Sequence, residues 1–131
     1  MIGLDTNVVV RYLTLDDPSQ FAVARRIMRS LSPDAPGYIS LVVVVELVWV
    51  LRVAYHFDRK GIANVIAGLL QSNELVIEDS QLVSQALRIF QASHADFTDC
   101  LIERCGHAAE CEYTVTFDKG AAAGAGMRLL T

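Results

Sequence analysis

The 131-residue chain predicts an α/β fold. It should form a single domain with a mostly parallel central sheet of four to five short strands, flanked by helices on both faces. Three observations carry that prediction. Short strand-like segments alternate with longer segments of helical apolar spacing, as when parallel strands are joined by helices. Apolar residues make up 53% of the chain, enough for a substantial core and too many for disorder. The length leaves no room for a second domain.

Residues 1–5 read as a strand and residues 7–13 as a short helix. Asp17-Pro18-Ser19-Gln20 is a strong helix start. Asp17 can cap, Pro18 suits the first helical position, and Gln20 can reach back to the cap. That helix should run to about Leu31, where Pro33, Pro36 and Gly37 break it. Tyr38-Ile39 is a brief strand, and Ser40 can cap the segment after it. The valines of residues 41–55 favour a strand, whereas the length of the segment favours a helix. Leu41, Val44, Val45, Val48, Trp49 and Arg52 fall at helical spacing, so a buried helix is expected.

Residues 58–71 read as a further helix and residues 75–78 as a strand. Residues 80–92 form the next helix, with Leu82, Ala86, Ile89 and Phe90 on one side. Thr98 is expected to cap a helix through Ala109. Residues 113–117 read as a strand ending at Asp118, residues 120–126 as a short helix or loop, and residues 127–130 as the last strand. Trp49, Phe57, Phe90, Phe97 and Phe117 are expected in the core.

Bulk properties narrow the function. The formal net charge is −4, from 11 basic and 15 acidic residues, which disfavours a generic polyanion-coating protein. It leaves nucleic acid open, because bound cations change the local sign. No basic segment followed by an apolar core and a cleavage site opens the chain, so export is not expected and a cytoplasmic location is. The apolar stretch 39–51 is too short for a comfortable membrane span, and Glu46 interrupts it. Cys100, Cys105 and Cys111 are odd in number and lack Cys-x-x-Cys spacing, which suits a reducing compartment. His56, His94 and His107 match no closed zinc-site spacing. The glycines of residues 120–126 precede no Gly-Lys-Ser/Thr and form no phosphate-binding loop.

Four acids carry the chemistry: Asp5, Glu46, Asp99 and Asp118. Each lies in or beside strongly apolar sequence. An ionised carboxylate is seldom buried without a partner, and several in one cleft repel one another unless a cation lies between them. A divalent metal with oxygen ligands resolves both problems. In parallel sheets ligands bind beyond the carboxyl ends of the strands. Asp5 and Asp118 each end a predicted strand, Asp99 lies in the first turn of its helix, and Glu46 lies about two turns into its own.

On these residues the chain resembles a PIN domain, and within that group the VapC-type toxins of bacterial toxin–antitoxin pairs. The matching pieces are Leu4-Asp5-Thr6-Asn7, the Ser40-Leu41…Val45-Glu46-Leu47 helix, Asp96-Phe97-Thr98-Asp99-Cys100-Leu101-Ile102 and Thr116-Phe117-Asp118-Lys119. The resemblance spans essentially the whole chain. It implies an endoribonuclease that cuts single-stranded or structured RNA and depends on Mg2+ or Mn2+, with one or two ions held by Asp5, Glu46, Asp99 and Asp118. Asp96 also occurs as an acid in relatives. Thr6 and Asn7 match positions that orient the first aspartate, and Thr116 one that supports the last. The resemblance further implies a cognate antitoxin protein laid over the site and a homodimer. An apolar groove near Val9, Tyr12 and Leu13 would take the antitoxin.

RNA also requires cationic contacts, for which Arg11, Lys119, Arg25, Arg26 and Arg29 are the candidates. Two other classes stay open. One is an aspartate-based phosphoryl-transfer enzyme, although Asn7 stands where its second aspartate would be. The other is a non-catalytic binding module whose acids hold a structural cation or none.

Overall fold

Polar residues immediately ahead of the helices set most of the helix starts. In the computed structural model, which describes residues 1–131, Asp17 accepts from the Gln20 N–H at 3.0 Å and opens α2 (Pro18–Ser30). Ser40 accepts from the Val43 N–H at 3.2 Å and opens α3 (Leu41–Val53). Asp58 accepts from the Gly61 N–H at 2.7 Å and opens α4 (Arg59–Gln71). Such caps satisfy amide groups that the first helical turn leaves unpaired. The remaining helices are α1 (Thr6–Leu13), α5 (Ser80–Ala92), α6 (Phe97–Ala108) and α7 (Lys119–Ala125). The strands are β1 (Ile2–Gly3), β2 (Gly37–Ile39), β3 (Leu75–Ile77), β4 (Val115–Thr116) and β5 (Arg128–Leu129).

The chain divides into two compact units, Met1–Glu78 and Asp79–Thr131. In the first, β1, β2 and β3 form a parallel sheet in that order, with Gly3 opposite Tyr38 and Ile39 opposite Ile77. Helix α1 packs on α2 and α3, and α4 packs on α3 and β3. Val9, Ile39, Val44, Leu47, Leu51 and Ile66 form its fully buried centre.

In the second unit α5 and α6 pack along each other and α7 packs on both. Phe90 of α5 and Phe97 of α6 meet edge to face, with ring centroids 5.9 Å apart. Strands β4 and β5 pair in parallel, Val115 opposite Arg128 and Thr116 opposite Leu129. Gly124 of α7 lies so close to Ala95 that a Cβ there would stand 2.9 Å from the Ala95 backbone nitrogen. Gly126 ends α7 in the left-handed region at φ 81°, which a glycine adopts without strain.

The α/β prediction holds, with corrections. The five strands do not share one central sheet: three pair in the first unit, and two pair only with each other in the second. Helix α3 is confirmed against its valine-rich strand propensity, but its buried stripe is Val44, Leu47, Val48 and Leu51. Trp49 is 56% exposed and Phe117 80% exposed, so neither belongs to the core. A helix apolar all round gives no pattern from which to choose the buried side. The buried side of α5 is Val83, Ala86, Leu87 and Phe90, with Leu82 and Ile89 only half-buried. Asp96, not Thr98, stands at the N-cap of α6: its backbone is extended, whereas Thr98 is already helical.

Candidate metal centre

The first unit brings Asp5 to the carboxyl edge of its sheet. The Leu4 N–H donates to the Tyr38 carbonyl, so β1 and β2 stay in register to their ends. Asp5 then leaves the sheet with extended backbone and caps α1. Its Oδ1 accepts from the adjacent Thr6 N–H at 2.7 Å, while Oδ2 lies outside that bond. Thr6 is 6% exposed, and its Oγ1 is buried without a hydrogen-bond partner. Asn7 is exposed in the first turn of α1.

Glu46 rides on α3, which packs against α1. The start of α3 is fixed by a residue that sequence reading passed over. Glu78 follows β3, and its Oε1 accepts from the Leu41 N–H at 2.8 Å. Its main chain continues the ladder, because the Glu78 N–H donates to the Ile39 carbonyl at 2.9 Å. The placement of Glu78 directly after the apolar strand 75–77 was the available signal. Glu46 itself is exposed, on the same side of α3 as exposed Val42 and Trp49.

The second unit collects the other acids at helix N-termini. Asp118 follows β4 and caps α7, its Oδ1 accepting from the Ala121 N–H at 2.8 Å. Thr116 steadies that turn, its Oγ1 accepting from the Asp118 N–H at 3.0 Å. Asp96 is the N-cap residue of α6, and Asp99 lies in its first turn. Because α6 packs on α7, the helices that carry Asp96, Asp99 and Asp118 are neighbours. The partial positive charge of a helix N-terminus favours carboxylates at such positions.

The burial expected of these acids is not what the structure shows. Asp5, Glu46, Asp96 and Asp118 are exposed, and Asp99 is half-buried. Leu4, Leu47, Phe97 and Cys100 beside them are buried, whereas Phe117 beside Asp118 is exposed, and the carboxylates stand after strand ends, at helix starts or, for Glu46, on the outer side of α3. No three His, Cys, Asp or Glu side chains gather into a preformed cage. The donor set nonetheless fits magnesium or manganese. It consists of carboxylate oxygens, and such an ion takes oxygen ligands, keeps several waters and needs few protein ligands.

The cationic candidates divide. Arg25, Arg26 and Arg29 are exposed on α2, and Lys119 is exposed beside Asp118. Arg11 is engaged within the first unit: it donates to Gln20 Oε1 at 2.6 Å, to the Tyr55 hydroxyl at 3.0 Å and to Asp16 at 3.3 Å. Tyr12 and Leu13 line an open, mostly apolar cavity of about 450 Å³ together with Met28, Leu31, Val65 and Leu69. Val9, expected to line such a groove, is fully buried instead.

A family model described as "PIN domain" matches residues 2–126, and so covers both units. No curated protein matches the chain. No helix is long and apolar enough to cross a membrane.

Proposed function

From the premise that the chain belongs to the PIN-domain family, we propose that it is an endoribonuclease dependent on magnesium or manganese and the toxin of a VapC-type toxin–antitoxin pair. PIN domains are in general metal-dependent nucleases. The observation that best supports the reading is shared by Asp5 and Asp118. Each stands two residues beyond the end of a parallel strand, caps the next helix through Oδ1 and keeps Oδ2 outside the cap bond.

Asp5, Glu46, Asp99 and Asp118 would hold one or two ions, with Asp96 as a further acid. A bound divalent ion supplies a water that is nucleophilic near neutral pH and neutralises charge on the phosphate. The chain's own groups do the positioning. The Thr6 N–H orients Asp5, the Thr116 hydroxyl oxygen fixes the turn that presents Asp118, and Glu78 anchors the helix that carries Glu46. Lys119 and the α2 arginines bind phosphates, whereas the guanidinium of Arg11 serves the fold first. The apolar cavity beside Tyr12 and Leu13 would seat the antitoxin, and the protein would act as a homodimer.

Incubation of partner-free protein with a mixed RNA pool tests this reading. Cleavage is expected with magnesium or manganese and none with chelator. Cleavage undiminished by chelator would overturn it.

A further inference from the structure

The second unit exposes an aromatic face that the metal site does not use. Exposure alternates from residue 113 to residue 117: Tyr113 is 47%, Val115 48% and Phe117 80% exposed, while Thr114 and Thr116 are half-buried. Thr114 is turned toward α6, its Oγ1 lying 2.7 Å from where a Cβ on Gly106 would stand. Tyr113, Val115 and Phe117 therefore share the outward side of the β4 segment. Arg128, opposite Val115 on β5, joins them there, its guanidinium carbon 3.5 Å from the centre of the Tyr113 ring. Leu130, 40% exposed, extends the same side. The face ends at Asp118, and the Thr116–Asp118 bond holds the turn that presents Phe117.

We propose that this face, from Tyr113 past Arg128 to Phe117, is a platform on which bases of single-stranded RNA stack as the strand passes to Asp118. The proposal rests on the nuclease reading and names the residues that would hold its single-stranded substrate. Three features favour RNA over a protein partner as the occupant. Flat aromatic rings stand at both ends of the face, and any base presents a π-surface to them. The one formal charge on the face is the Arg128 cation, which suits phosphate and itself stacks on rings. The face also leads directly to a candidate metal ligand. Alternate strand positions lie about 6.6 Å apart, roughly twice the 3.4 Å stacked rise of a duplex strand. A strand must unstack to lay bases on them, so the face selects single strands over duplex.

Photocrosslinking gives the test. Single-stranded RNA carrying 5-bromouridine is irradiated with the Asp5→Asn protein, and crosslinked peptides are located by mass spectrometry. The same RNA and a duplex control are titrated against Asp5→Asn, against that protein with Tyr113→Ala and Phe117→Ala, and against that protein with Phe117→Trp. Crosslinks are expected within residues 113–117 or at Arg128. Each alanine should weaken single-strand binding by about fivefold or more, and the tryptophan should retain it. Crosslinks confined to other segments, or equal affinity in the alanine variants, overturn the platform. So does a change from dimer to monomer in those variants with RNA affinity unmoved, which would make the face a self-association surface. Metal-dependent cleavage by the intact protein, assayed separately, tells a failure of the platform alone from a failure of the nuclease reading.

Discussion

At the scale of the residue, Asp5 and Asp118 do two jobs that chemistry can separate. Each carboxylate caps a helix, and each offers a charged oxygen beyond the cap bond. Asparagine caps about as well as aspartate but brings no charge. Asp118→Asn should therefore keep thermal stability within about 0.5 kcal/mol while RNA cleavage falls by at least about 100-fold. Asp118→Ala should lose the activity and also about 1 kcal/mol of stability, read by denaturant unfolding. A fully active Asp118→Asn would remove the residue from the site. Sequence alone identified all four acids as candidates through their order and flanking residues. Its inference that they are buried failed for a definite reason. In short strands and first helical turns, neighbours in sequence point in different directions, so an acid can adjoin an apolar run and still face water. Glu78 went unremarked for a related reason: its role is a side-chain bond to the Leu41 amide, 37 residues away, which no local pattern encodes.

At the scale of the element, most helix boundaries were legible because their signals are local. Asp17-Pro18, Ser40 and Asp58 each cap where capping chemistry places them. The order of strands and helices was equally readable. The pairing of strands was not, because a two-residue strand such as β4 carries no sign of its partner. Nor was the inner side of α3 readable, since apart from Glu46 and Arg52 that helix is apolar all round. Close packing of α7 depends on Gly124, where a methyl group would stand 2.7 Å from Ala95 Cβ and 2.9 Å from its backbone nitrogen. Backbone cannot yield as a side-chain tip can. Gly124→Ala should destabilise the fold by about 1–3 kcal/mol. It should also lower cleavage beyond the loss of folded protein, because α7 presents Asp118 beside α6. Activity per folded molecule equal to that of the parent would show that this contact does not position the acid.

At the scale of the whole molecule, the family match extends over both compact units. A polar network ties the first unit together across α1, the start of α2 and the region just after α3. The Asp16 carboxylate accepts from the Tyr55 hydroxyl at 2.6 Å and pairs with Arg11 at 3.3 Å. The Tyr55 hydroxyl, with Thr14 and the Arg11 charge, holds Asp16 below its ordinary value near 3.8, against a smaller opposing effect of desolvation. A carboxyl more acidic in the folded than in the unfolded state stabilises the fold above its unfolded pKa. That contribution disappears as pH falls through the lower, folded value. The melting temperature of the parent should therefore exceed that of Asp16→Asn at pH 7, with the gap closing as the pH falls below the ordinary carboxylate value of 3.8. A gap that ignores pH would assign the effect to shape rather than charge.

Carboxylates at strand ends and helix starts are held to bind the ion for RNA cleavage, and that is the central claim. Its most direct test is the cleavage rate of Asp5→Asn on a mixed RNA pool in magnesium, beside the parent protein and with matched thermal melting. The expected result is a loss of at least about 100-fold with the melt unchanged. Cleavage at the parental rate in a preparation free of parent protein would contradict it.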